Sequence, residues 1–146
     1  MRTAIEHVLA PRRGRRVIAV AFVGADALRF LPSPEGIEIY CWPKAGGTNP
    51  HAIEQLQQAG AIVYFVERLH MKIYASDGGG TVLGSANLTN NALGESGLLE
   101  CGVYIDNGVI DISQVLKNLP IVPDFDSRLR HLHEVNRPGI AGDSQS

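Results

Sequence analysis

The stretch "LHMKIYASDGGGTVLGSANLT", residues 69–89, decides how this chain folds. Apolar and polar residues alternate on both sides of a glycine run, the period-two pattern of a strand, a tight turn and a second strand. Alternation puts His70 and Lys72 on one face of the first strand and Met71, Ile73 and Ala75 on the other. The shortest turn through "DGGG" has Gly78 and Gly79 at its two positive-φ positions and pairs Asp77 with Gly80. That register predicts His70 opposite Asn87 and Lys72 opposite Ser85, with Val82, Gly84 and Ala86 joining the apolar face. An imidazole, an ammonium, a hydroxyl and a carboxamide then share one small patch, while Asp77 falls on the opposite face with a structural role at the turn.

Upstream, "VIAVAFVG" (17–24) is a continuous apolar run, the mark of a central strand buried on both faces. "GIEIYCW" alternates as another strand. "NPHAIEQLQQAG" reads as a helix with Asn49 as N-cap, Pro50 at its first position and Gly60 beyond its end, and "AIVYFV" is the next strand. Thr3 to Leu9 is a short amphipathic start. Downstream, "LLECGVYID" supplies a further strand, and a short helix, a Pro-punctuated turn and a last helix through "DFDSRLRHLHEV" follow. The pattern predicts an α/β fold, a mixed sheet flanked by helices, in one domain over residues 1–135 with a polar, flexible tail over 136–146.

Composition narrows the function. The chain has 146 residues, 45% hydrophobic and 19% charged, with a net charge of −2. No apolar run reaches the length of a membrane span, and Asp26 interrupts the stretch after "PRRGRR", so neither a span nor a signal peptide is indicated and the chain reads as soluble and cytoplasmic. Charge is unevenly placed: residues 1–72 carry nine basic and six acidic side chains, residues 73–146 four and nine. Any site for a polyanion is therefore local. Cys41 and Cys101 lie in apolar, strand-like settings without metal-ligand spacing and read as buried thiols. The "HLH" at 131–133 has no third ligand at sensible spacing and reads as helix surface. "PRRGRR" reads as a solvated basic turn, with contact to a nucleic-acid backbone as the alternative. "DGGG" lacks the lysine pattern of a P-loop and reads as a hairpin turn.

The polar patch suits phosphodiester chemistry: an ammonium, an amide and a hydroxyl hold anionic oxygens, and an imidazole attacks phosphorus or exchanges protons. His70, Lys72, Asp77, Gly84, Ser85 and Asn87 together resemble the HxK(x)4D(x)6GSxN motif of the phospholipase D superfamily, with every spacing matched. Chance agreement of six fixed residue types is on the order of 10⁻⁷ to 10⁻⁸ per starting position. The resemblance extends over the α/β pattern from Val17 to about Ile105.

It implies a phospholipase D-like fold and a reaction without metal or other cofactor. One histidine attacks phosphorus to give a phosphohistidine, and a second protonates the leaving oxygen. Such a site needs two motifs and this chain has one, so the resemblance implies a homodimer with the site on its two-fold axis. His70 of one subunit is then nucleophile and that of the other general acid, Lys72 and Asn87 hold the phosphate, and Ser85 assists or bonds the turn. A carboxylate is expected to orient the imidazole. Glu100 is the candidate, facing away from an apolar row of Leu99, Cys101, Val103 and Ile105, with an ordinary surface role as its alternative; Glu95 is the second choice. The leading expectation is a metal-independent nuclease acting on DNA or RNA, since short single-motif members resemble bacterial nucleases. Phospholipid phosphodiester chemistry, and a non-catalytic nucleic-acid-binding or dimerisation module, are the alternatives. No sequence-reading module is visible, so any specificity would come from a partner protein.

Overall fold

The computed structural model describes residues 1–89, 93 and 100–136. In chain order the elements are α1 (Arg2–Val8), β1 (Arg16–Val20), a single 3-10 turn (Ala27–Phe30), β2 (Glu38–Cys41), α2 (Pro50–Gln58), β3 (Ile62–Phe65), β4 (Lys72–Ser76), β5 (Gly80–Gly84), β6 (Gly102–Ile105), α3 (Ile112–Leu116) and α4 (Phe125–Val135). The six strands form one sheet in the order β3-β2-β1-β4-β5-β6. The first three are parallel and the rest antiparallel, so the sheet is mixed and the fold α/β, as the sequence predicts.

β1 is central and buried throughout, and its alternation serves two cores. Ile18 and Val20, with Ile39 and Cys41 of β2, pack against Ile5 and Val8 of α1, Ile53 and Leu56 of α2 and Leu132 of α4. Val17 and Ala19, with Tyr40 and Ala75, pack on the reverse face against Ile112 and Leu116 of α3. α2 starts where expected: the Asn49 side chain accepts a hydrogen bond from the Ala52 amide at 3.1 Å, and Pro50 occupies the first turn.

Three of the four arginines of the basic turn are engaged within the fold. Arg16 is 8% exposed, and its guanidinium donates to the carbonyls of Leu9, Ser33 and Glu35 at 3.0, 2.9 and 2.6 Å. Arg12 donates to the His7 carbonyl at 2.7 Å. Arg15 grips Glu38 at the start of β2 through two bonds of 2.8 and 2.7 Å. Only Arg13 of the four is fully exposed. Local backbone carbonyls satisfy the buried charge of Arg16, and the Glu38 carboxylate pairs with Arg15.

The Arg15 fork and the Tyr40 hydroxyl, 3.1 Å away, hold the Glu38 carboxyl below the usual glutamate range against the opposing effect of burial. A carboxyl depressed in the folded state stabilises the fold above its unfolded value and loses that contribution as pH falls through the folded one. Glu38→Gln is therefore expected to cost about 1–2 kcal/mol at pH 7, with the difference from wild type shrinking below the ordinary glutamate value. Urea unfolding at pH 7 and pH 3 measures both; an equal loss at the two pH values would remove the ion pair from the account.

The hairpin differs from the sequence expectation by one residue. Ser76, not Asp77, pairs with Gly80, and positive φ falls at Gly78 and Gly80 rather than at Gly78 and Gly79. The reason lies in Asp77: its amide donates to the Arg15 carbonyl and its carboxylate accepts from the Arg15 amide, both at 2.8 Å. Fastened to the chain entering β1, Asp77 leaves the ladder and joins a three-residue turn. Ile73 then faces Leu83 and Tyr74 faces Val82. Val82 and Ala86 consequently belong to the core beneath Tyr74, not to the Ile73 face.

β6 is a second departure. Val103 is 60% and Tyr104 42% exposed, and Cys101 is exposed, so the strand has no buried apolar face. Cys41 is buried as expected, and burial pushes its thiol well above the ordinary range. Leu99, and residues 137–146 of the expected tail, lie outside the described residues.

Candidate active site

The site lies where β4 begins and β5 ends. Arg68 adopts a left-handed φ of 63°, a conformation that non-glycine residues rarely hold, and turns the chain from β3 into the His70–Lys72 segment. Lys72 pairs across the sheet with Val20 at the end of β1. Its ammonium lies 3.3 Å from His70 Nδ1 and donates to the His70 carbonyl at 3.3 Å. His70 is exposed and Lys72 half-buried. Partial burial lowers the Lys72 pKa, and the nearby charge of Glu100 opposes that shift.

Ser85 and Glu100 meet from the opposite side. The Ser85 hydroxyl donates to Glu100 Oε2 and accepts from the Cys101 amide at 3.0 Å. The sequence assigns Glu100 to orient the imidazole; in the structure its carboxylate accepts from Ser85. Gly84 pairs with Gly102, which leaves Ser85 at the strand end beside the chain entering β6. Gly84 has no room for a side chain: a Cβ there would stand 2.6 Å from the Cys101 carbonyl oxygen. Glu95 lies outside the described residues.

Asn87 is wholly buried and is not opposite His70 on a strand. Its Oδ1 accepts from the amides of Ala21 and Phe22, both at 3.1 Å, where the chain leaves β1. Its Nδ2 is a buried donor without an acceptor among the described residues. Holding two backbone donors in register is therefore a structural duty of this carboxamide, and the unpartnered NH2 is an unspent one.

The sequence reading missed Tyr74. It lies two residues beyond Lys72 on the same face, is 1% exposed, and its hydroxyl donates to the Ala86 carbonyl at 2.8 Å. Burial, with Glu100 nearby, pushes its pKa far above the ordinary phenol. Tyr74 thus anchors the Ser85–Asn87 turn from below. The period-two alternation that grouped His70 with Lys72 was the signal that could have found it. A second group was also unread. Trp42 stacks on Phe22, with ring centroids 5.8 Å apart, and the Lys44 ammonium lies 5.1 Å from the Trp42 ring. Both aromatic residues follow the strand ends next to Lys72, since the Trp42 amide bonds the Ala21 carbonyl at 2.9 Å.

The α/β sheet carries an imidazole and an ammonium where β4 begins, and a hydroxyl and a carboxylate where β5 ends. Residues 36–119, more than half of the chain, match the family described as cardiolipin synthase, PLD-like domain, and the chain belongs to this phospholipase D-like family. Among solved structures it is similar to NucT from Helicobacter pylori, with a TM-score of 0.55 and 19% identity over 90% of this chain and 86% of that one. Likeness at that identity speaks for the fold. Comparison with curated proteins gives no match.

Proposed function

We propose that this protein is a nuclease that hydrolyses DNA or RNA phosphodiester bonds through a phosphohistidine, at a site completed by a second copy of the chain. The observation that carries the reading is the exposed His70 with the Lys72 ammonium 3.3 Å from its ring, the Glu100 charge near that ammonium, and Ser85 bonded to Glu100. His70 attacks phosphorus and forms a P–N bond as the P–O bond to the leaving group breaks. The partner subunit's His70 gives that oxygen its proton. Water then attacks phosphorus, returns a proton to the same imidazole and frees His70. Lys72 and the unpartnered Asn87 NH2 are the donors assigned to the phosphate oxygens. Ser85 holds Glu100, whose charge opposes the lowering of the Lys72 pKa by partial burial.

A further observation supports the substrate class. The Trp42–Lys44 group at the same sheet end offers a ring and a cation to a nucleobase and its phosphate, which favours a nucleic-acid substrate. The name of the matched family favours a second reading, phospholipid phosphodiester chemistry. Among the described residues, no helix is long and apolar enough to cross a membrane.

Labelled single- and double-stranded DNA and RNA, and headgroup-labelled vesicles, incubated with the protein in excess EDTA, test the reading. Nucleic-acid cleavage that survives chelation is expected, together with a solution mass about twice the 15.7 kDa of the chain. Headgroup release without nucleic-acid cleavage would transfer the assignment to lipids, and full activity from a monomer would end the shared-site proposal.

A further inference from the structure

The fold gathers a second cluster of chemically capable side chains on helices that do not carry the motif. His51 and Glu54 are three residues apart on α2, so they rise from the same face of the helix. α4 packs beside α2 through the buried Leu132, and this brings the next residue, His133, over that face. His133 Nε2 lies 2.7 Å from Glu54 Oε1, and the His51 and His133 rings meet edge to face with centroids 4.8 Å apart. One ligand atom from each of the three residues lies within 4.8 Å of the other two. His51 is exposed and the other two half-buried, so the cluster is open to an ion from solvent.

We infer that His51, Glu54 and His133 form a divalent transition-metal site, with zinc the fitting ion. Two imidazoles and one carboxylate are a borderline donor set suited to zinc rather than to calcium or magnesium, which prefer oxygen alone. With zinc bonds of about 2.0–2.2 Å, tetrahedral ligand atoms stand roughly 3.3 Å apart, so the 2.7 Å His133–Glu54 contact has to widen slightly and separations of up to 4.8 Å have to close. Rotamer adjustment of the exposed His51 and the half-buried Glu54 and His133 supplies both shifts. The fourth position is open to water. A bound ion would replace a single His–Glu hydrogen bond by three bonds and tie the first turn of α2 to the last turn of α4. The site is independent of the proposed hydrolysis, which uses none of its three residues.

The full chain, stripped of metal, would be titrated with zinc chloride against a chromophoric chelator. One equivalent per chain with a micromolar or tighter apparent Kd is expected. His51→Ala and His133→Ala should each weaken binding at least tenfold while leaving the far-UV circular dichroism unchanged. Zinc should raise the Tm of the wild type and not of the variants. Cobalt should give the visible absorption of a four-coordinate site in the wild type alone. Absence of uptake would reduce the cluster to an ordinary His–Glu pair, and uptake unaffected by both substitutions would place zinc elsewhere, at His70 or Cys101 for example. Either result overturns the assignment. The EDTA cleavage assay keeps the two proposals separable, since loss of zinc is expected to lower thermal stability and leave turnover intact.

Discussion

His70→Ala is expected to lower phosphodiester hydrolysis at least about 10³-fold while the protein keeps its fold and its oligomeric state. The size follows from removing a nucleophile for which no neighbouring group can substitute: the Lys72 ammonium has no free lone pair, and the Ser85 hydroxyl is committed to Glu100 and Cys101. Stability should be little affected, because His70 is exposed and the core begins at Leu69 and Tyr74 on either side of it. A mixing experiment makes the prediction sharper. In a dimer whose single site needs both copies of His70, only wild-type pairs turn over, so activity follows the square of the wild-type fraction. An equal mixture of exchanged subunits should then show about one quarter of full activity. Independent sites would show about one half. A linear dependence on the wild-type fraction would leave the chemistry standing and dismiss the shared site, whereas a His70→Ala protein with wild-type turnover would dismiss the chemistry itself.

Much of this site can be read from residue types and spacings, because the physics behind those signals is local. An apolar run such as Val17 to Gly24 has to be central, and a cap such as Asn49 followed by Pro50 has to start a helix. Alternation likewise had to put His70 and Lys72 on one face. What escaped the sequence is whatever depends on one distant contact. The hairpin register turned on the pair of hydrogen bonds between Asp77 and Arg15. Three consecutive glycines accept several turns with equal ease, and so carry no register of their own. That one-residue slip put Val82 opposite Tyr74, in the core. The exposure of Val103 escaped too, because an apolar residue type does not reveal whether anything covers it. His51, Glu54 and His133 meet only because α4 returns across α2, and no spacing rule links residues so far apart in the chain.

The arginines of "PRRGRR" show how far a charge pattern can mislead, and they give the largest expected effect on stability. Arg16→Ala should destabilise the fold by about 3–5 kcal/mol, lowering Tm on the order of 10 °C. Its guanidinium joins three segments at once, the end of α1 through Leu9 and the approach to β2 through Ser33 and Glu35, while its backbone pairs with Ser76 in the sheet. Truncation leaves three carbonyls without their charged donor and opens a gap beside a core that is otherwise closed. Arg13→Ala, three residues earlier in the chain and exposed, should change stability by less than about 0.5 kcal/mol. Thermal and urea unfolding of the two variants measure the contrast. Fluorescence anisotropy with a DNA probe, at a temperature where both are folded, checks its complement: Arg16→Ala should bind as the wild type does. Unchanged stability with weakened binding would put the Arg16 side chain on the outer surface and return the basic turn to a role in holding nucleic acid.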